Sequence, residues 1–424
     1  MINKHKSVNM GSFTGKTKMV LFVFTSVLLC ACNTYINIKP MIKYEKYEKV
    51  EKEKMSDKFY MEFPMSINAY NYFLIPCKIN SKHSVNLIVD NKCVSLMKEE
   101  QINAYNGKHW GNLPFKAKNA YGKKSAISLY KFDSFGINTY PFGSYLFKKI
   151  DRSYMFYDLA GDGVLGWNIL YTACWKFSID ENLVKVFSEN DSAAITKETA
   201  GFQKIENGLT NKGVDLCIQA LDKRHKFTLD LGYSGEIEID NKLFNSMKKH
   251  YPYTTVKRLR EDLDTSTVNI FENITLSLDT FIITNCQLVN RADFNGNYIG
   301  VEFMRRFNFI LMYNDGKYMR QEHLYIKPVH TIDSEKSDPY ISKFGLNIGR
   351  RGDKAMIVSL IENGTEESFL QLGDEILDVD NGAFDLSTEN MTKNFISYSI
   401  KKDSVSLRTK DKGILILKNV DIFK

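Results

Sequence analysis

Short apolar runs separated by polar turns extend along the chain from residue 60 to about residue 321. Some runs alternate apolar and polar residues, others are continuously apolar, and Gly, Asn, Asp or Lys bounds most of them. This pattern is typical of β-strands. The clearest predicted strands lie at residues 71–76, 85–89, 128–130, 227–229, 235–239 and 281–283. Few stretches have helical spacing apart from residues 242–250, so the sequence predicts a mainly β fold.

Two of the predicted strands end in an aspartate and belong to a long internal repeat. The repeat consists of NLIVDNKCVS at 86–95 with GVLGWNIL at 163–170, and KFTLDLGYSG at 226–235 with YIGVEFM at 298–304. Gly166 follows Asp90 by 76 positions, and Gly300 follows Asp230 by 70. A repeat of this length indicates two similar lobes, each presenting one aspartate at the end of an apolar strand.

A single aspartate after a strand commonly accepts hydrogen bonds from the N–H groups of a turn, and this is the alternative interpretation of each copy. Two copies with matching downstream halves favour a functional pair instead. After the glycine of each copy the two segments, residues 167–187 and 301–321, align without a gap as strand, polar turn and strand. The sequence therefore predicts two carboxylates, Asp90 and Asp230, that face each other between two lobes.

On these residues the chain resembles the bilobal, pepsin-like and retropepsin-like aspartic peptidases, specifically bacterial envelope relatives with an appended PDZ domain. The resemblance covers nearly all of residues 60–321 and implies two pseudo-symmetric β lobes with Asp90 and Asp230 as a catalytic dyad. Two adjacent carboxylates share one proton, so that one activates water while the other protonates the substrate carbonyl. The resemblance also implies a substrate site that includes three further residues: Gly232 and, in a flap, Tyr121 and Gly122. It implies no cofactor and no metal.

The two aspartate motifs depart from the Asp-Thr/Ser-Gly pattern of these peptidases. In the family, the hydroxyl of the second residue forms a hydrogen bond to the other lobe. Leu231 has no hydroxyl, whereas Asn91 can form a different bond. Lys92 replaces a glycine and brings a positive charge toward the dyad, so we expect weak or absent turnover. Two functions remain open: an aspartic endopeptidase acting on extended peptides, and a non-catalytic pseudo-peptidase that binds peptides in the same place.

The C-terminal part resembles a PDZ domain over residues 338–424. Predicted strands at 355–361, 404–408 and 414–417 accompany a Gly-Asp-strand-Asn-Gly motif at 372–382. The resemblance implies a peptide groove whose carboxylate-binding loop contains Phe344, Gly345, Leu346 and Asn347. A packing domain without a ligand is the alternative.

The chain begins with features of an exported bacterial lipoprotein. Residues 1–18 contain four lysines and no acid, and residues 19–31 form a short apolar run before Cys32. This pattern predicts a signal peptide at 1–31 and a lipid anchor on Cys32, hence a membrane-attached protein of the cell envelope, facing the periplasm or the cell surface. An ordinary signal peptide or a single anchor helix is the alternative. The predicted segments that follow are a charged tether or surface helix at 32–58, the first lobe at 59–195 and the second at 196–328.

Charge and cysteine content exclude several other classes of function. A net charge of +7, which includes the four lysines of the signal, and the lack of a basic, aromatic-rich patch argue against nucleic acid as a partner. The cysteines after Cys32 show no metal-binding spacing, and no Cys or Ser has a histidine in a suggestive position. A peptide or protein substrate is therefore the expected partner, and the sequence leaves the oligomeric state open.

Overall fold

The computed structural model of the chain describes residues 40–420 with short exceptions. These are residues 41, 48, 54–57, 119–123, 152–156, 158, 206–213, 219–220, 222, 261–262, 293, 295, 316–319, 330–338, 363 and 365–368. The predicted signal peptide (1–31), Cys32, Tyr121 and Gly122 thus lie outside the described residues. Within them the chain is mainly β, as the apolar pattern predicts. Among the described residues no helix is long and apolar enough to cross a membrane.

The first lobe consists of one curled sheet with short helices. Its elements are helix α1 (within residues 42–53), β1 (Tyr60–Pro64), β2 (Ser66–Ile67), β3 (Phe73–Ile79), β4 (His83–Asp90), β5 (Leu96–Lys98), α2 (Glu99–Ala104), β6 (Lys108–Lys118), β7 (Lys124–Lys131), β8 (Phe135–Ile137), β9 (Tyr140–Gly143), β10 (Leu146–Ile150), β11 (Gly163–Gly166), α3 (Trp167–Leu170), β12 (Cys174–Ser178) and β13 (Leu183–Phe187). The strand order in the sheet is β6-β7-β10-β5-β11-β4-β3-β8-β9, and β2 pairs with β3.

The second lobe repeats this arrangement. Its elements are α4 (Ser192–Thr199), β14 (Gln203–Ile205), β15 (Val214–Ile218), β16 (Lys223–Leu229), β17 (Ile237–Glu238), α5 (Asn241–Met247), β18 (Thr254–Leu259), β19 (Thr265–Leu278), β20 (Phe281–Arg291), β21 (Tyr298–Ile299), α6 (Val301–Met304), β22 (Phe307–Asp315) and β23 (Arg320–Pro328). The strand order in its sheet is β18-β19-β20-β17-β21-β16-β15. The predicted helix at 242–250 is α5, which begins at the side-chain cap of Asp240.

The two sheets match strand for strand in both order and direction. In the first lobe β11 pairs in parallel with β4 and antiparallel with β5, and β10 pairs in parallel with β5. In the second lobe β21 stands in the same relation to β16 and β17, and β20 to β17. The internal repeat of the sequence therefore corresponds to a repeated topology, and the two lobes are pseudo-symmetric.

A six-stranded sheet joins the lobes, in the order β1-β13-β12-β22-β23-β14. Its two central strands, β12 and β22, come from different lobes and pair antiparallel, with Phe177 opposite Phe309. These two rings stack with their centroids 4.6 Å apart, and both are fully buried. The shared apolar core extends from this sheet into both lobes, and aromatic packing there fixes one lobe against the other.

The C-terminal module has a core of its own and is also attached to the second lobe. It contains β24 (Leu346–Arg351), β25 (Lys354–Ile361), β26 (Ile376–Val379), α7 (Met391–Ile400), β27 (Ser404–Thr409) and β28 (Gly413–Lys418). Its apolar core includes Phe344, Leu346 and Phe395. Strand β25 pairs antiparallel with β18, so the sheet of the second lobe continues into this module and ends at β24.

Part of the predicted N-terminal tether (32–58) is helical and packs on the first lobe. Tyr44 of α1 is buried against Trp110 and Trp167. The carboxylate of Glu51 is also buried and accepts a hydrogen bond of 2.9 Å from the backbone N–H of Ser144. The charged stretch that we expected to be either a spacer or a surface helix thus contains a helix with one buried face.

Candidate functional site

Each predicted aspartate lies where a strand ends beside the glycine of its repeat. Asp90 ends β4 directly opposite Gly166 of β11, and the N–H of Asp230 donates to the carbonyl of Ile299, next to Gly300. A Cβ on Gly166 would lie 2.3 Å from the backbone nitrogen of Ser95, and one on Gly300 would lie 2.1 Å from a backbone oxygen. Only glycine fits at either position, because the chain crosses directly under each aspartate loop.

The backbone holds the two aspartates in the same way. The N–H of Lys92 donates to Asp90 Oδ1 at 2.7 Å, and the N–H of Gly232 donates to Asp230 Oδ1 at 2.9 Å. Asp90 Oδ1 also accepts from the N–H of Cys93 at 3.1 Å. The replacement of glycine by Lys92 leaves this hydrogen bond intact, because the bond comes from the main chain.

The two aspartate loops are in contact. A Cβ on Gly232 would lie 2.4 Å from both Cγ and Oδ2 of Asp90. The second loop therefore presses its backbone against the carboxylate of the first, as a two-carboxylate site requires. Any side chain at position 232 would displace the Asp90 carboxylate, which explains why a glycine occupies this position.

Asn91 joins the lobes through three hydrogen bonds. Its Oδ1 accepts from the N–H of Leu231 at 2.8 Å, and its Nδ2 donates to the carbonyl of Leu229 at 3.1 Å. The same nitrogen donates to Oε1 of Glu322 at 2.7 Å. The expectation that the dyad loses its cross-lobe support is therefore wrong for the first loop, because one carboxamide supplies both an acceptor and a donor across the interface.

Leu231 and Lys92 occupy different environments from those we expected. The Leu231 side chain is fully buried in the shared apolar core, where it contributes packing and no hydrogen bond. Lys92 Nζ forms an ion pair with Glu322 Oε2 at 3.1 Å. The positive charge next to the dyad is thus accompanied by a buried negative one.

Enclosure between the lobes changes the ionisation of the site. The pKa of Asp230 is raised to about 7, mainly by burial and then by the charge of Asp90 and, to a lesser degree, that of Glu322, while Lys92 and the N–H of Gly232 oppose the shift. A carboxylic acid with this pKa keeps its proton in weakly acidic solution, as the proton-sharing partner of a dyad must. Burial, followed by the Asp90 charge, raises the pKa of the Cys93 thiol well above its usual range, which disfavours a reactive thiolate.

Two residues that the sequence pattern did not single out complete the site. Tyr72 lies before β3, and its hydroxyl bonds with Ser234 of the opposite lobe close to both aspartates. Glu322 shares its buried side of β23 with Leu324 and Ile326. That placement was readable from the alternation of the strand, since a charged residue on the apolar side requires a partner. No comparable signal in the sequence indicates Tyr72.

The other predicted site residues lie away from the aspartates or outside the described part. Tyr121, Gly122 and Cys32 are outside the described residues. The four residues of the predicted carboxylate loop lie in the C-terminal module: Phe344, Gly345, Leu346 and Asn347. Phe344, Leu346 and Asn347 are buried there, and the Asn347 carboxamide bonds to the backbone of the preceding loop. Any ligand of this loop would therefore contact mainly its backbone, where Gly345 has a φ of 74°.

Comparison with known proteins gives limited information. No family model matches the chain, and no curated protein matches it in sequence. Solved structures similar to it include a retropepsin-like aspartic protease from Rickettsia conorii, with 13% sequence identity and a TM-score of 0.21. The match covers 31% of this chain and 93% of the other. We base no argument on a likeness of this size, so the functional conclusion depends on the geometry of the site.

Proposed function

We propose that the chain is an aspartic endopeptidase that cleaves extended peptide segments with Asp90 and Asp230 as a water-activating dyad. One observation carries the proposal: the two aspartate loops meet, with Gly232 against the Asp90 carboxylate. Two carboxylates enclosed in this way hold a single proton between them over a range of pH. The raised pKa of Asp230 favours it as the residue that carries that proton near neutrality.

In the proposed reaction the ionised carboxylate takes a proton from a water molecule while the water oxygen attacks the peptide carbonyl carbon. The protonated carboxyl gives its proton to the carbonyl oxygen, and a neutral gem-diol results. The C–N bond then breaks as the amine nitrogen takes up a proton from the dyad, leaving a new carboxyl and a free amine. The backbone N–H groups of Lys92 and Cys93 stabilise the Asp90 carboxylate, and Gly232 N–H the Asp230 carboxyl.

A non-catalytic peptide-binding protein is the second candidate. Leu231 favours it, because a buried leucine replaces the hydroxyl residue of the aspartic peptidases and leaves the cross-lobe bonds to Asn91 alone. A site with only one such clamp can retain a peptide-binding surface while its carboxylates are too poorly aligned to react, since small displacements cost large factors in rate.

The C-terminal module is proposed to act as a PDZ-like peptide-binding domain. Two features support this: β24 is the last strand of its sheet, and α7 lies beside it, with Thr392 Oγ1 2.8 Å from where a Cβ on Gly349 would be. A peptide could add to β24 as a further strand. The proposal extends to a lipid anchor on Cys32 in a bacterial envelope, for which the amino-terminal pattern is the support. Incorporation of a labelled fatty acid into the wild type but not into Cys32→Ser would test the anchor.

The peptidase proposal is tested by incubating the purified full chain with a peptide library between pH 4 and pH 8 and identifying new termini by mass spectrometry. We expect cleavage that is lost in Asp90→Asn and in Asp230→Asn and that resists serine and thiol reagents. Asp133→Asn, at an exposed aspartate of the first lobe, serves as the control and keeps activity. Full activity in either dyad variant would refute the dyad. No cleavage with retained peptide binding would assign the protein to the binding class.

A further inference from the structure

Glu322 is a buried carboxylate that no step of the proposed reaction uses. It lies on β23 of the sheet between the lobes, and its exposed fraction is 8%. Its two oxygens go to two neighbouring residues of the first aspartate loop, Oε1 to Asn91 at 2.7 Å and Oε2 to Lys92 at 3.1 Å. An ionised side chain in such a place is costly unless its hydrogen bonds are satisfied, so its presence calls for an explanation.

The first explanation is that Glu322 determines which way the Asn91 carboxamide faces. The Nδ2 group has two hydrogens, of which one serves Leu229 and the other Glu322, while Oδ1 accepts from the N–H of Leu231. If the amide were reversed, its oxygen would face the carboxylate and the Leu229 carbonyl, and its NH₂ group would face the Leu231 N–H. The negative oxygen of Glu322 thus holds the amide in the orientation that links the lobes.

The second explanation concerns charge. Lys92 and Glu322 carry opposite charges on the same side of the dyad and act on Asp230 in opposite directions. The other titratable groups whose charges interact with Asp230 belong to Asp90, Tyr72, Cys93 and Tyr298. Loss of either member of the ion pair would leave the other uncompensated beside these groups, whereas loss of both would leave the balance nearly unchanged.

We propose that Glu322 is a positioning residue for the dyad, which orients the cross-lobe carboxamide of Asn91 and balances the charge of Lys92. Together the three residues replace the paired hydroxyl residues of the Asp-Thr/Ser-Gly pattern with a one-sided clamp based in the sheet between the lobes. The catalytic part of this inference rests on the proposed function, but the orientation of Asn91 and the charge balance do not.

The charge arm of the test compares Glu322→Gln, Lys92→Met and the double variant by titrating carboxyl-labelled Asp230 in nuclear magnetic resonance spectra. We expect Glu322→Gln to move this titration to lower pH and Lys92→Met to higher pH, each by on the order of one unit. The double variant should return close to the wild type. Where cleavage is measurable, the alkaline limb of its pH profile should move in the same directions. Shifts of the same sign in both single variants, or none, would overturn the charge balance.

The orientation arm measures hydrogen exchange of the Leu231 N–H, which donates to Asn91 Oδ1. Glu322→Leu removes the acceptor of the Asn91 amide and should speed this exchange at least tenfold, whereas Glu322→Gln, which keeps an oxygen, should change it less. The control is Glu198→Gln, at a carboxylate equally buried and bonded to Lys176 and Tyr60, which should leave both measurements unchanged. Unchanged Leu231 exchange in Glu322→Leu would overturn the positioning role. Absence of cleavage in every form would refute only the proposed function.

Discussion

The buried carboxyl of Asp230 should make the folded protein less stable as the pH rises, and Asp230→Asn should remove this dependence. Burial and the charge of Asp90 raise the pKa of Asp230 from 3.8 to about 7. Between these two values the unfolded chain has released the proton that the folded chain still holds. Because the folded state binds more protons there, its stability decreases with increasing pH.

The magnitude follows from the size of the shift. Roughly three pH units at about 1.4 kcal/mol each give a loss of about 4 kcal/mol between pH 4 and pH 7, with little further change above pH 7 from this group. The carboxamide introduced by Asp230→Asn would carry no titratable proton and no charge. The stability of the variant relative to the wild type should therefore increase by that amount across the same range, and the variant should be the more stable protein at pH 8.

The assay is urea unfolding of the wild type and Asp230→Asn at half-unit steps from pH 4 to pH 8, followed by circular dichroism of the strands. Other titrating groups contribute to both proteins and largely cancel in the difference. Asp133→Asn, which changes an exposed aspartate, should parallel the wild type at every pH. A difference between wild type and Asp230→Asn that stays constant with pH would show that Asp230 is ionised normally, and the proton-sharing site would then be refuted.

Three further substitutions have outcomes that the site geometry fixes. Gly232→Ala would place a Cβ 2.4 Å from the Asp90 carboxylate, so cleavage should fall at least a hundredfold while circular dichroism shows an intact fold; near-normal cleavage would contradict the contact. Asn91→Leu removes both cross-lobe bonds and should lower the free energy of unfolding by about 2 kcal/mol in a urea titration, whereas an unchanged value would show that these bonds contribute nothing. Restoring the Asp-Thr-Gly pattern with Lys92→Gly and Leu231→Thr should lower rather than raise cleavage, because it strands a buried carboxylate and puts a hydroxyl in an apolar core; a gain in rate would support the simpler expectation from the sequence.

The strands and the repeated topology could be predicted because they depend on local pattern. The run before Asp90 and the run before Asp230 each alternate in a way that commits them to a strand, and both strands, β4 and β16, are present. The glycines that follow at similar distances indicated the crossing segments β11 and β21. The residues that contact each aspartate loop within its own lobe were thus accessible from the sequence.

The supporting network could not be predicted, because its partners are far apart in the chain. Alternation along β23 puts Glu322 on the buried side, but does not tell that it meets Asn91, 231 positions earlier. The substitutions at 92 and 231 were interpreted as losses since a motif records residue types and not their neighbours. The attachment of the C-terminal module through β25 and β18 was missed for the same reason: the pattern of a strand does not specify which edge it will join.

The pH dependence of peptide cleavage by the full chain tests the central claim most directly. Once a cleaved peptide has been identified, kcat/KM measured from pH 3 to pH 9 reports the ionisation of the free protein. A dyad that must hold one proton predicts a rate that falls above pH of about 7 as Asp230 loses its proton, with no cleavage by Asp230→Asn at any pH. A rate that keeps rising to pH 9, or that persists in Asp230→Asn, would contradict a proton-sharing pair of aspartates.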